Sequence, residues 1–330
     1  MMPRASRRWS SLVILLALLT AVVLPSRSLL AAPRPSAPQA RRVNIRVGSA
    51  PGGMAVDVYL HRAYSVNLGG TVSVINTQTN TVADTIAVGN FPYYMAVNAR
   101  SSRGYVTNGK DNTVSVLNLL DNTLVTTITV GLYPINIALN PYTNRAYVAN
   151  NLSNTVSVIN TNTNQVVDTI QVGDNPSGVA VSPGNARAYV TNTFANTLSV
   201  INTTTDQVVK TVPVGHKPYG VGVDIGVNRV FVANEDAGTV TVVDTVTNQV
   251  VFTIPVGYDP YDVAVNETTH RAYIPNSNDN TVSVINTDTY KVVGTIGVGN
   301  FPAGVAVDPL IGRLYVANAA DNTVSVITIP

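Results

Sequence analysis

One short pattern occurs seven times in this chain, and nothing else in the sequence restricts the fold as strongly. An aromatic residue, two small or branched residues and a polar end recur as Tyr64-Ser65-Val66-Asn67, Tyr105-Val106-Thr107-Asn108, Tyr147-Val148-Ala149-Asn150, Tyr189-Val190-Thr191-Asn192, Phe231-Val232-Ala233-Asn234, Tyr273-Ile274-Pro275-Asn276 and Tyr315-Val316-Ala317-Asn318. A Val-Gly pair closes each unit, with glycines at 48, 89, 131, 173, 215, 257 and 299, spaced by 41 once and then by 42. Repeats of this length, each holding several β-runs, are the signature of propeller blades.

The second unit shows the strands. Residues 93–98, 104–108, 113–118 and 124–130 are rich in Val, Ile, Thr and Tyr and have strand length. We label them A to D, from the first in each unit to the last. The turns between them carry Asn and Asp, as in Asn160-Thr161-Asn162-Thr163-Asn164, residues that tolerate left-handed backbone and bond nearby amides. After Gly299 only three runs remain, 303–308, 314–318 and 323–329. Residues 43–47, ahead of Gly48, supply the fourth. The expected fold is all-β: a seven-bladed propeller of four-stranded antiparallel blades, its last blade completed by the N-terminal strand.

Residues 42–330 form the repeated domain. Before them, Arg4, Arg7 and Arg8 precede an apolar run from Leu12 to Leu24. That run is short for a bilayer span, which needs about 20 residues. Residues 1–32 therefore read as a cleaved export signal, an uncleaved anchor being the alternative, and 33–41 as a Pro-rich linker. Ser6-Arg7-Arg8 resembles a twin-arginine signal but Trp9-Ser10-Ser11 departs from it, which leaves the export route open. Without residues 1–32 the chain holds 16 Lys+Arg against 18 Asp+Glu, a net charge of −2, and no tryptophan. A mildly acidic chain with few lysines argues against a nucleic-acid partner. The absence of cysteine excludes disulfides, thiolate metal sites and a lipidated cysteine. A periplasmic or cell-surface monomer with no membrane span in the mature chain is expected.

Two further positions repeat. Prolines follow each Val-Gly pair by three residues, at 51, 92, 134, 176, 218, 260 and 302, and suit links between blades. The glycines themselves are expected to supply a backbone conformation larger residues resist. Arginines at 62, 103, 145, 187, 229, 271 and 313 flank the A–B turns, where each is expected to bond across its own hairpin rather than to form a cationic ring.

The seven tetrads and the Asn-Thr-Val-Ser-Val-Ile-Asn strands resemble the YVTN-type β-propeller repeat family, which includes surface-layer-like propellers and exported YncE-type proteins. The resemblance spans residues 42–330. It implies an extracytoplasmic protein, often without known enzymatic activity. Ser65-Val66 and Ile274-Pro275 depart from the tetrad, so local strand irregularity is expected there.

Up-and-down connectivity places the A–B and C–D turns on one face and the B–C and D–A loops on the other. The second face varies between units, so ligand choice should reside there. Its D–A loops carry Phe91, Tyr93, Tyr94, Tyr133, Tyr219, Tyr258, Tyr261 and Phe301, and units five and six add His216, Lys217, Glu235, Asp236, Asp259 and Asp262. Tyrosine offers contact area with a polar tip, and the candidate ligand-binding residues are Tyr93, Tyr94, Tyr133, His216, Lys217, Tyr219, Glu235, Asp236, Tyr258, Asp259, Tyr261 and Asp262. The alternative for the aromatics is packing between blades. No catalytic residue, metal ligand or cofactor site is assigned; His61 and His270 lie on the regular face, and no phosphate-binding glycine motif occurs. The function expected is a noncatalytic binding or scaffold propeller, whose partner is a protein, a glycan or an envelope component. The alternative is a lactonase-like hydrolase or lyase that uses the acids of units five and six, with or without a divalent cation.

Overall fold

The computed structural model describes residues 42–329; the signal at 1–32 and the linker at 33–41 lie outside the described residues. Seven four-stranded antiparallel sheets account for nearly all of the described chain, with one 3-10 turn, Pro183–Asn185. In blade two strand A is Pro92–Asn98, B Arg103–Asn108, C Thr113–Asn118 and D Thr123–Thr129. Blades one to six each use four consecutive strands. Blade seven takes Pro302–Asp308, Arg313–Asn318 and Thr323–Thr328 from the C-terminal end and Arg42–Arg46 from the N-terminal end. The register runs from Arg42 opposite Ile327 to Arg46 opposite Thr323. The ring is thus closed by strand pairing, as the count of runs required.

No single central core exists. Seven apolar clusters lie between adjacent blades, each built from both neighbours, and the aromatic of every tetrad is buried in one of them. Period-2 alternation puts each such ring on the blade face that meets the next blade. Burying a side chain of that size contributes roughly 1.5–3 kcal/mol.

The repeated polar residues hold the seams. Asn108, fully buried, donates from Nδ2 to Thr113 Oγ1 (3.0 Å) and Ser115 Oγ (2.9 Å) of its own blade, and accepts from Gly89 N–H (3.1 Å) of the incoming link. Asn192 and Asn318 repeat all three bonds. This corrects the expectation for the Val-Gly glycines. They have no positive φ; a Cβ on Gly173 would sit 2.7 Å from Asn192 Cγ, so close approach excludes a side chain. The prolines differ too: Pro92 is the first residue of strand A, opposite Asn108, and a bulge follows before Met95. A missing N–H is tolerated at a strand's first residue and beside a bulge. Left-handed backbone falls on the residue before each proline, such as Phe91 (φ 56°) and Lys217 (φ 49°).

The arginines do not all bond across their own hairpins. Arg103 meets Asn118 of its blade (3.0 Å), and Arg187 and Arg271 bond carbonyls of their own turns. Arg62 and Arg313 instead cross the seam, to Leu119 O with Asn122 Oδ1 (3.0 Å) and to Thr77 O with Asn80 Oδ1 (3.0 Å). Their acceptors are next-blade C–D turns, which one blade's sequence does not reveal. Deleting residues 42–48 removes the closing strand and should lower and broaden the thermal unfolding transition of the purified protein. An unchanged melting curve would contradict closure by this strand.

Candidate functional site at the channel mouth

Strands A line the axis of the ring, and adjoining ones touch backbone to backbone. A Cβ on Gly53 would lie 2.9 Å from Tyr94 Cα, and one on Gly220 2.5 Å from Asp262 Cα. Only a residue without a side chain fits such a crossing. These close approaches leave the centre narrow and bring side chains from distant blades together.

Blade six breaks the regular pattern. Its strand A is reduced to Ala264–Asn266, with an isolated bridge from Pro260 to Asn276. Pro275, at the third tetrad position, has no N–H to give to the inner strand, although its carbonyl accepts from Tyr261 N–H (2.9 Å). The irregularity expected at Ile274-Pro275 is therefore present, whereas Ser65-Val66 sits within the regular strand Arg62–Asn67. Tyr261 and Asp262 lie in this irregular segment, at the repeat positions that Tyr219 and Gly220 hold in the regular strand of blade five.

Asp262 is buried and accepts from the backbone N–H of Val263 (2.8 Å) and of Val305 (3.0 Å) in blade seven. Burial pushes its carboxyl up from 3.8 to about 6, against the opposing pull of those two amides and of the nearby Tyr94 hydroxyl. Tyr94 reaches it from blade two, and its own hydroxyl is buried without a hydrogen-bond partner among the described residues. Together they floor the mouth.

Two tyrosine pairs stand above this floor. Tyr261 donates to the Tyr219 hydroxyl at 2.9 Å with the ring centroids 4.2 Å apart. The Tyr93 and Tyr133 hydroxyls share a bond of 2.8 Å, their rings edge to face at 5.6 Å. Burial raises the phenol pKa of Tyr93, Tyr94, Tyr219 and Tyr261, and charge on one ring would act on the others, so the pairs face a common space. Glu235 adjoins Tyr261 and is half-buried. Burial raises its pKa, Asp259 and Asp236 add to that, and Lys217 opposes it. No hydrogen bond to its carboxylate occurs among the described residues.

The fold thus brings Tyr93, Tyr94, Tyr133, Tyr219, Tyr261, Asp262 and Glu235 together. His216, Lys217 and Asp236 form a separate exposed group on the rim, with Asp236 3.2 Å from His216 Nδ1 and 3.0 Å from Lys217 Nζ. Asp259 bonds the Asn278 side chain. Tyr258, 74% exposed, does not join the cluster. Tyr94 is buried and Tyr93, Tyr133, Tyr219 and Tyr261 are half-buried, and none of the five belongs to the seven inter-blade clusters. Among the described residues no three His, Asp or Glu side chains stand close enough together to hold a metal ion; Asp262 accepts from two amides, and Asp236 meets His216 and Lys217 at the rim.

Thr107 and Thr191 were not among the candidates, yet they fix the rings. Thr191 Oγ1 donates to Tyr219 O at 2.6 Å and Thr107 Oγ1 to Ile135 O at 2.6 Å, tying each inner strand to the next. The sequence signal was present: threonine occupies the third tetrad position only in these two units. Phe91 also belongs to the mouth, edge to face with Tyr93 (5.5 Å) and under the Lys110 ammonium at 4.6 Å.

Known proteins agree with this architecture. Residues 127–253 match the family model described as lactonase, 7-bladed beta-propeller. The chain is a seven-bladed β-propeller. Among solved structures, Kuenenia stuttgartiensis hydrazine synthase is similar with a TM-score of 0.76 at 21% identity, over 84% of this chain and 95% of that one. No curated protein matches. No helix among the described residues is long and apolar enough to cross a membrane.

The raised Asp262 carboxyl makes the folded state bind a proton more tightly than the unfolded chain. On its account stability is greatest at low pH and is lost as pH rises from 3.8 to about 6. Urea denaturation across that range should show this contribution, and Asp262→Asn should make the fall of stability with pH shallower, because the raised carboxyls of Glu235, Asp206 and Glu267 still add to it. An identical pH dependence in wild type and variant would refute the assignment.

Proposed function

We propose that this is an exported binding propeller whose channel mouth holds a polyhydroxylated ligand such as a glycan, without chemical turnover. The observation that carries the reading is the convergence of two hydrogen-bonded tyrosine pairs with a half-buried carboxylate that has no hydrogen-bond partner among the described residues. Each pair uses one O–H internally and leaves one free to donate. Aromatic faces suit the C–H faces of a sugar, and Glu235 accepts from hydroxyls; a site of this kind is concave, aromatic and furnished with few polar groups. The export signal expected from residues 1–32 is consistent with a ligand outside the cytoplasm. The double change Tyr219→Ala with Tyr261→Ala should abolish binding to an array of chito- and cello-oligosaccharides while the melting curve stays cooperative. A wild-type protein that binds none of these sugars would sink the reading.

A second reading is hydrolysis of a small lactone at the same mouth. The lactonase-model match covers Tyr133, Tyr219 and Glu235, and a carboxylate with a raised pKa, open to the mouth, is suited to activate water as a general base. Measured on glucono-δ-lactone, turnover should then fall by about a hundredfold or more in Glu235→Gln. Equal rates for wild type and variant would exclude Glu235 as the base.

A further inference from the structure

Charge on the mouth face is one-sided. Its B–C and D–A loops carry eight Asp and Glu residues against two lysines and one histidine. Both lysines already have partners. Lys217 Nζ stands 3.0 Å from Asp236 Oδ2 at the rim, and Lys110 Nζ lies 4.6 Å from the centre of the Phe91 ring. Within the mouth itself the tyrosines gather around Glu235 and Asp262, with no base among them. Asp262 gives one oxygen to each of the amides of Val263 and Val305. Glu235 has no hydrogen bond and no ion pair among the described residues.

Such a place favours a positive charge, and the groups around it select the kind. Calcium takes about six to eight oxygen ligands, several of them carboxylates, and one free carboxylate does not supply them. Burial raises the phenol pKa of Tyr93, Tyr94, Tyr219 and Tyr261, so these remain neutral hydroxyls. Neutral phenol oxygens accept N–H bonds, and phenol rings attract a cation to their faces. The Tyr94 hydroxyl at the floor is buried and has no hydrogen-bond partner among the described residues. An ammonium group has three N–H donors to divide between a carboxylate and such oxygens. The rim already shows an ammonium on an aromatic face, since the Phe91 ring that holds Lys110 packs edge to face on Tyr93.

We propose, resting on the glycan reading of this site, that the mouth selects glycans bearing free amino groups, with a sugar ammonium seated on Glu235 among the tyrosine hydroxyls. An N-acetyl group at the same sugar position offers one neutral N–H, and a hydroxyl one O–H. Neither brings a counter-charge to Glu235, and a charge-assisted hydrogen bond is roughly twice as strong as a neutral one. The other acids of the face attract the same ligand at longer range, where salt screens them more than it screens a half-buried contact.

Calorimetric titration of the purified full chain with the glucosamine trimer, its N-acetylated form and cellotriose tests this selection, in mildly acidic, low-salt buffer where the amines are charged. Wild type should bind the glucosamine trimer about tenfold or more tighter than the other two. Glu235→Gln should bring that trimer down to the level of cellotriose and leave cellotriose nearly unchanged. Asp174→Asn, which removes one charge from an exposed loop of the same face, should preserve the preference. Equal or reversed affinities in wild type overturn the proposal and leave the glycan reading standing. Binding of none of the three overturns both. Equal weakening of the glucosamine trimer by Glu235→Gln and by Asp174→Asn also overturns it, because a diffuse field would then account for the preference. Should Glu235→Gln fail to fold, the ranking of the sugars on wild type and its persistence in Asp174→Asn still decide.

Discussion

The buried asparagine at the end of each tetrad is the interaction on which the ring rests. In its complete form one side chain answers two hydroxyls of its own strand C and the N–H of the Val-Gly link arriving from the blade before. The arrangement works only because the link comes close enough that its residue can carry no Cβ. A buried amide left without partners costs about 1–3 kcal/mol per group, so asparagine and glycine must be kept together. The tetrad aromatic then fills the seam that the asparagine has aligned, and seven seam cores replace one central core. Each blade is stable because of its neighbours, which is why the last must be closed by a strand from the other end.

Departures from this pattern make the molecule asymmetric. Pro275 has no N–H to give to the inner ladder of blade six, whose inner strand is short, and Tyr261 and Asp262 lie in the segment ahead of it. Thr107 and Thr191 add hydroxyl ties to the next inner strand. Blade seven is completed by a strand from the other end of the chain, which no other blade needs. The place of chemical interest, the tyrosine mouth, thus gathers residues that interrupt a repeat whose regular parts are scaffold.

Much of the site was legible in advance because loop membership follows from strand count. Tyr93, Tyr133, Tyr219 and Tyr261 stood out as aromatics on the variable face, and Glu235 as an acid breaking the repeat. Sequence did not separate Tyr258, which points to solvent, from Tyr261, three residues on, which stacks on Tyr219. Strand pairing there is reduced to an isolated bridge at Pro260, and where a ladder is absent the alternation of side chains cannot be carried over from neighbouring blades. Nor did sequence show that Asp262 serves as a brace between blades. Its amide partner, Val305, is 43 residues away.

The sequence by itself determined the number of blades, the strand composition of each and the closure of the ring, because these depend on period and on local β-propensity. It also determined which loops share a face. Only the tertiary structure decided why the glycines are needed, which arginines cross a seam and which tyrosines meet. Those outcomes depend on distances between blades, and residues 42 positions apart in the chain come into contact only when neighbouring sheets pack.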